Sequence, residues 1–171
     1  MIPSKLLNLM GYDESDIMVG TVDVTMPNLV YMSEEIQGAG IAGSVDVPAL
    51  GHFQSLTMGI NWRTLIDQSL TFLAGKSRQF TFRGTLQSYD NTTGNLTEQA
   101  LKIVTRVFPK GINLGTLSVA AGMGTSGEFE VAYIKIDING KTMVEIDKLN
   151  FICIIDGVDY LAESRRNMGL N

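Results

Sequence analysis

Cysteine, histidine and tryptophan each occur once in the 171 residues, as Cys153, His52 and Trp62. A single cysteine excludes an internal disulfide framework. With only one histidine beside it, a structural zinc site of the Cys/His type is excluded as well. Cys153 lies in the apolar run Phe151-Ile152-Cys153-Ile154-Ile155, which reads as a buried thiol rather than a nucleophile. Charge is also scarce: 18% of residues are charged, below the usual quarter. Cations are the scarcer sign, with 13 Lys and Arg against 18 Asp and Glu and a net charge of −5. No basic stripe of the kind a tight nucleic-acid binder carries is present. No apolar run approaches membrane-spanning length. The short apolar piece Leu6-Leu7-Asn8-Leu9-Met10 is briefer than a signal-peptide core and has no small-residue cleavage site after it, so the chain is expected to be cytosolic when made.

What is abundant is apolar residues, at 44%, and glycine, with 18. Residues 1–171 suit one domain of ordinary size. High glycine with modest charge points to many turns and therefore many short strands. The low charge count also implies that much of the surface is covered by something else, since a lone soluble domain normally carries more charge.

Periodicity supports a mainly β chain. Over 17–26, Met18, Val22, Val24 and Met26 share one face and Thr21, Asp23 and Thr25 the other, the pattern of a half-buried strand ended by Pro27. Residues 33–51 lack a clean period and carry Gly38, Gly40, Gly43, Pro48 and Gly51, so a long loop or arm is expected. Alternation resumes over 54–62 with Leu56, Met58, Ile60 and Trp62 inward. Ile66, Leu70 and Leu73 then follow helical spacing, with Thr64 as a possible cap and Gly75 as a stop. Residues 78–89 and 97–108 read as a hairpin around 90–95, its second strand turning Leu101, Ile103 and Val107 inward and Lys102 and Arg106 outward, with a break at Pro109 and Gly111. Asn139-Gly140 between two alternating segments is a strong hairpin signal. The apolar phase slips by one residue between Val131 and Ile134, which predicts a bulge. A buried strand over 150–155, the turn Asp156-Gly157 and a last helix from about Asp159 using Leu161, Arg165 and Met168 complete the chain. The sum is an antiparallel β-sandwich or partial barrel with one inserted short helix and a C-terminal helix.

Several motifs tempt and fail. Gly38-Ala39-Gly40-Ile41-Ala42-Gly43 and Gly122-Met123-Gly124-Thr125-Ser126-Gly127 both spell G-x-G-x-x-G. A dinucleotide fingerprint needs a helix immediately afterwards, and neither copy has one. Lys135, Asp137, Asn139 and Gly140 imitate part of a calcium loop, but its first and twelfth positions are Lys135 and Ile146. Asn91-Thr92-Thr93 and Asn95-Leu96-Thr97 match glycosylation acceptors and read instead as turn chemistry. His52 has Ser55 close in sequence, yet nothing orients the pair as base and nucleophile. Glu128 and Glu130 share a strand face, at a spacing of about 7 Å that a glycosidase pair could use; a solvated acidic face is the plainer reading. No catalytic, cofactor-binding or metal constellation emerges, and the chain is expected not to be an enzyme.

Two long blocks do carry a resemblance. Gly38-Ala39-Gly40-Ile41-Ala42-Gly43, running through Pro48-Ala49-Leu50-Gly51-His52-Phe53 to Asn61-Trp62-Arg63-Thr64, is similar to the major tail tube protein family of contractile-tailed phages and related contractile bacteriocins. So is the block from Glu128-Phe129-Glu130-Val131 through Gly140-Lys141 and Glu145-Ile146-Asp147-Lys148-Leu149-Asn150 to Asp156-Gly157-Val158-Asp159-Tyr160-Leu161, and the opening Met1-Ile2-Pro3-Ser4-Lys5. The resemblance implies a structural role in the virion tail, assembled in the bacterial host cytoplasm. Hexameric rings would stack into a hollow tube inside a contractile sheath, each subunit lending strands to a ring β-barrel. The implied partners are further copies of the chain, the tail sheath protein, the tape-measure protein, baseplate and tail terminator proteins, and DNA passing through the lumen without specific binding. No cofactor is implied. An acidic lumen would repel phosphates and let DNA slide. Asp23, Glu128, Glu130, Glu145 and Asp147 are the lumen candidates, and Gly38, Gly40, Ile41, Gly43 and Pro48 mark the 33–51 arm between subunits. The same tube could belong to an infectious phage, a defective prophage or a headless bacteriocin. A β-sandwich ligand-binding module is the alternative from another class; such sites present exposed aromatics, whereas Trp62 falls on the apolar face of its strand.

Overall fold

The computed structural model describes every residue except Met1, Ser15, Val19 and Asn171, and every side chain except theirs and those of Asp16 and Val22. The strands are β1 (Ile2–Asp13), β2 (Asp16–Ile17), β3 (Thr21–Thr25), β4 (Tyr31–Gln37), β5 (Ser44–Phe53), β6 (Thr57–Trp62), β7 (Arg78–Tyr89), β8 (Leu96–Asn113), β9 (Thr125–Ile138), β10 (Lys141–Asp147), β11 (Ile152–Ile155) and β12 (Val158–Asp159). The helices are α1 (Asp67–Thr71), continued by a 3-10 turn over Phe72–Ala74, and α2 (Ala162–Asn167). Ten strands form one antiparallel sheet in the order β12-β11-β10-β9-β8-β7-β1-β2, with β6 and β3 branching from β9; β4 and β5 pair with each other as a separate hairpin. The chain is mainly β and sandwich-like, without a closed barrel among the described residues.

Strand β9 organises this sheet. One of its edges pairs with β8 along nearly its whole length. Its other edge is shared: residues 125–130 pair with β6 and residues 133–138 with β10. The changeover falls at Ala132, which the β8 register skips, since Arg106 faces Tyr133 and Val107 faces Val131. This is the bulge that the slipped apolar phase predicts. It keeps Phe129 and Val131 on one side of it, and Ile134 on the other, all in the core. The sheet is thereby divided into two wings. One holds β3, β6 and the adjoining halves of β9 and β8. The other holds β10–β12, β7, β1 and β2.

The core lies between the wings. Leu56, Met58, Ile60 and Trp62 enter it from the β6 side, and Phe80, Phe82, Ile103, Val107, Ile146 and Cys153 from the other strands. Phe72 sits at its centre, 5.2 Å from the Phe80 ring, 5.9 Å from Trp62 and 6.0 Å from Phe129. Turn chemistry follows the sequence closely. Asn139 and Gly140 have φ of 50° and 78°, and Asp156 and Gly157 of 47° and 83°, the double positive pair a tight hairpin needs. At the β7–β8 turn the Asp90 carboxylate accepts from the Thr92 N–H and the Thr93 hydroxyl, which accounts for the Asn-Thr-rich tip.

Five expectations need correction. Residues 33–51 are not a loop: most of them form the β4–β5 hairpin, with a tip at 38–43. The strand expected over 17–26 is two strands, broken where Gly20 takes a φ of 80°; Met18 and Val24 do face inward, while the Val22 side chain lies outside the described residues. Pro109 and Gly111 do not end β8, which absorbs them in a register shift and continues to Asn113. The C-terminal helix begins at Ala162, because Asp159 is held in β12 and its carboxylate receives the Arg165 guanidinium. Finally, the inserted helix starts after Ile66, not at Thr64, and buries Ser69 and Phe72, while Leu70 and Leu73 are 41% and 54% exposed. Ser69 bonds through its hydroxyl to both the N–H and the carbonyl of Ile66. The tight 3-10 turn then rotates the Phe72 ring, rather than the leucines, into the gap between the wings. Phe72→Ala should therefore cost about 3–5 kcal/mol, whereas Leu73→Ala should stay within about 0.5 kcal/mol, as read by urea unfolding of the dispersed subunit.

Candidate functional site

The outward face of the β3-β6-β9-β8 wing is polar and built from small residues. Asp23 pairs in register with Asn61, and Asn61 with Ser126, which faces Asn113 on β8. One step along, Thr25 pairs with Gly59, Gly59 with Glu128, and Glu128 with Gly111. Strand alternation commits the opposite face of the same strands to Met58, Ile60, Trp62 and Phe129 in the core. Because short side chains stand where long ones could, the face holds an open concavity of about 700 Å³, lined among others by Thr57, Asn61, Lys110 and Glu128. Its inner side is tightly fitted: a Cβ at Gly127 would come within 2.9 Å of the Phe129 ring and 3.1 Å of Trp62.

Three of the five acidic candidates meet here. Asp23 is exposed and accepts a hydrogen bond from the Asn61 amide. Glu128 is exposed and pairs with Lys110 at 2.7 Å. That exposed pair is a weak restraint, so both groups present charge to solvent. Glu130 sits at the margin and is more committed. It accepts from the Ser55 hydroxyl at 2.6 Å, the Leu56 N–H at 3.2 Å and the Lys148 ammonium at 3.4 Å. Partial burial works to raise its carboxyl, but these donors outweigh burial and hold it below the ordinary carboxylate range. Ser55 thus serves Glu130 and is not paired with His52.

The other two acids lie on β10 in the second wing. Glu145 accepts from the Tyr133 hydroxyl at 3.0 Å. Burial, then this bond, pushes the phenol up to about 12. Asp147 is 5% exposed and closes a turn, accepting from the N–H groups of Leu149 and Asn150 at 3.1 Å and from the Asn150 amide at 2.7 Å. Its charge is spent on the backbone. Sequence reasoning missed Lys110 as the cation beside Glu128, because the bulge around Lys110 that aims it is a property of the β8–β9 register.

The arm candidates cluster at the β4–β5 hairpin. Gly38, Gly40 and Gly43 lie at its tip with φ of 152°, 90° and 121°, values that favour glycine. Ile41 is exposed between them, and its N–H donates to the Gly38 carbonyl. Pro48 lies on β5 opposite Ser33. Among the described residues the hairpin meets the body at its base, where Phe53 enters the core with Tyr31 stacked on it at 4.6 Å between ring centroids and Leu161 packs over Gly51.

The model of the phage tail tube protein FII family matches residues 3–169. The chain belongs to that family. It is 31% identical over 174 residues to the tail tube protein of Escherichia phage P2, with 97% of this chain and 96% of that protein covered. A solved structure, the sheath/tube terminator of the extracellular contractile injection system PVC in its extended state, superposes with a TM-score of 0.59 over 80% of this chain and 98% of that one, at 10% identity. At that identity the likeness is one of fold. The family is a structural one, a component of the virion tail.

The Glu130 clip makes a pH prediction. A carboxyl whose folded pKa is depressed contributes stability above its unfolded pKa and loses it as pH falls through the folded value. Glu130→Gln should be less stable than the parent at neutral pH. The gap should close on acidification below the ordinary carboxylate range, as read by unfolding midpoints across pH.

Proposed function

We propose that the chain is the inner-tube subunit of a contractile tail, that its copies close into hexameric rings, and that stacked rings conduct DNA. The observation that carries this reading is the concave face bearing Asp23 and Glu128. Its lining is mostly small and polar, with the acids Glu128 and neighbouring Asp23 set against the single cation Lys110, and Phe108, 41% exposed across from Glu130, is the aromatic at its margin. Like charge keeps phosphates from adhering while they pass. Asp23 and Glu128 are the lumen acids of this reading. Glu130 braces the wall beside them, and Glu145 and Asp147 have structural partners.

The same wing has the edges a ring requires. Strand β3 pairs only with β6 among the described strands. At the opposite side, β7 follows β8 only as far as Val107 and leaves the stretch to Asn113 unpaired on that edge. The four strands alternate in direction. An even number means that β8 of one copy runs antiparallel to β3 of the next when copies are rotated about an axis along the strands. Ring closure would remove two exposed edges that are otherwise aggregation hazards. The tail sheath, tape-measure, baseplate and terminator proteins are the further partners of such a tube, and the fold likeness to a contractile-system terminator supports the contractile setting.

Purified protein at high concentration should form rings or tubes under negative-stain electron microscopy; strictly monomeric protein under those conditions, with a tube initiator supplied, would sink the reading. Tubes carrying Asp23→Lys with Glu128→Lys should still assemble but eject DNA more slowly. Unchanged ejection would remove these two residues from the lumen.

A further inference from the structure

A cationic pair and an anionic pair of like charges each lie directly across neighbouring strands. Arg83 on β7 faces Lys102 on β8. Arg106 lies farther along β8, and Lys135, opposite Val104 on β9, borders the same face. Among the described residues none of these four cations forms an ion pair, although Arg106 lies over the Tyr133 ring. Asp137 stands across from Lys102, yet it accepts the Thr142 hydroxyl and makes no salt bridge. In a chain with five more acids than bases, four cations on three adjacent strands are conspicuous, although Lys102 stands across from Asp137 and Lys135 from Glu145. On the arm, Glu35 of β4 faces Asp46 of β5. Both are exposed, and the partner resolved there is the Ser33 hydroxyl on Asp46. Like charges directly opposite destabilise an antiparallel pair, so each pair costs the isolated subunit stability.

The two liabilities have opposite signs and the same geometry, a cross-strand pair on an outward face. A two-stranded hairpin exposed along both strands is marginal by itself, and Met32, Ile36, Val45, Val47 and Leu50 leave it apolar as well as acidic. The cationic face is flanked by the equally apolar β1, where Leu6, Leu7, Leu9 and Met10 are exposed. From this complementarity we infer that the hairpin arm of one copy docks on the β1-β7-β8 face of a neighbouring copy, seating Glu35 and Asp46 against Arg83 and Lys102. The partner is a second copy of this chain, so the inference rests on the tube reading.

The test is a charge exchange read by sedimentation of assembled material. Arg83→Glu with Lys102→Glu, or Glu35→Lys with Asp46→Lys, should each raise the concentration needed for assembly by at least about tenfold, since like charges across an interface cost several kcal/mol. Combining all four substitutions in one chain should restore assembly. Arg83 faces Lys102 and Met10 and no acid, so Arg83→Glu alone should raise the unfolding midpoint of the dispersed subunit while weakening assembly, a split that a folding defect would not produce. Normal assembly of either reversed pair, or no recovery in the fourfold variant with its unfolding midpoint intact, would overturn the docking. Loss of assembly on reversing the cations that is matched by loss of DNA retention would assign the stripe to nucleic acid and also overturn it. Parent protein that never sediments removes the tube reading and this inference together. Parent that sediments beside indifferent variants removes the docking alone.

Discussion

A β-strand has two edges, and in this chain the second edge of β9 serves two partners. Nearly everything else depends on that division. Strand β8 occupies one edge along nearly its whole length, while β6 and β10 divide the other at Ala132. Without the extra residue, the alternation that buries Phe129 and Val131 would turn Ile134 and Ile136 toward solvent. With it, both halves of β9 feed one core although they belong to different wings. The aromatic cluster around Phe72 then fills the gap between the wings. The division also separates two outward faces. One is concave and carries Asp23, Glu128 and Lys110, the other carries the cations of β7 and β8 beside Asp137 and Glu145.

Charge in this molecule is sparse and falls into two uses. Some of it is spent inside the subunit: Asp147 closes a turn, Glu130 clips the 54–56 segment to β9, and Asp159 holds Arg165 of α2. These groups are partly buried and well supplied with donors, the setting in which a carboxylate stabilises a fold. The remainder, including Asp23, Glu128, Glu35, Asp46, Arg83 and Lys102, does little for the isolated chain and in two places works against it. On the tube reading proposed above, such groups would serve an interface or channel that the isolated chain lacks. The many exposed aliphatic side chains on β1 and the arm follow the same logic.

The most legible parts of the fold were those decided by local chemistry. Asn139-Gly140 and Asp156-Gly157 require positive φ whatever surrounds them, and the slipped phase before Ile134 required a bulge. The less legible parts were decided by competition between neighbours. Leu70 and Leu73 had helical spacing, but a helix of barely two turns buries whichever side chain meets a vacancy, and the vacancy fits the Phe72 ring. The 33–51 segment looked like a loop because strands exposed on both faces show no hydrophobic alternation to read. Of the acids, Asp23 and Glu128 were readable as outward-facing from alternation alone. Asp147 stood in an equally plausible pattern, yet the turn that follows it draws its carboxylate inward.

By itself the sequence determined the class of the molecule: antiparallel β structure, its principal hairpins, the inward set on β6 and β9, the absence of cysteine and zinc frameworks, and through two long blocks the resemblance to tail tube proteins. These are consequences of side-chain period, backbone sterics and composition, which act within a few residues. Only the tertiary structure decided which acids share a face, which strands keep a free edge, where Lys110 is aimed and which like charges confront one another. Those relations arise between segments far apart in the chain, and they are set by strand register, which a shift of a single residue at Ala132 or Lys110 is enough to change.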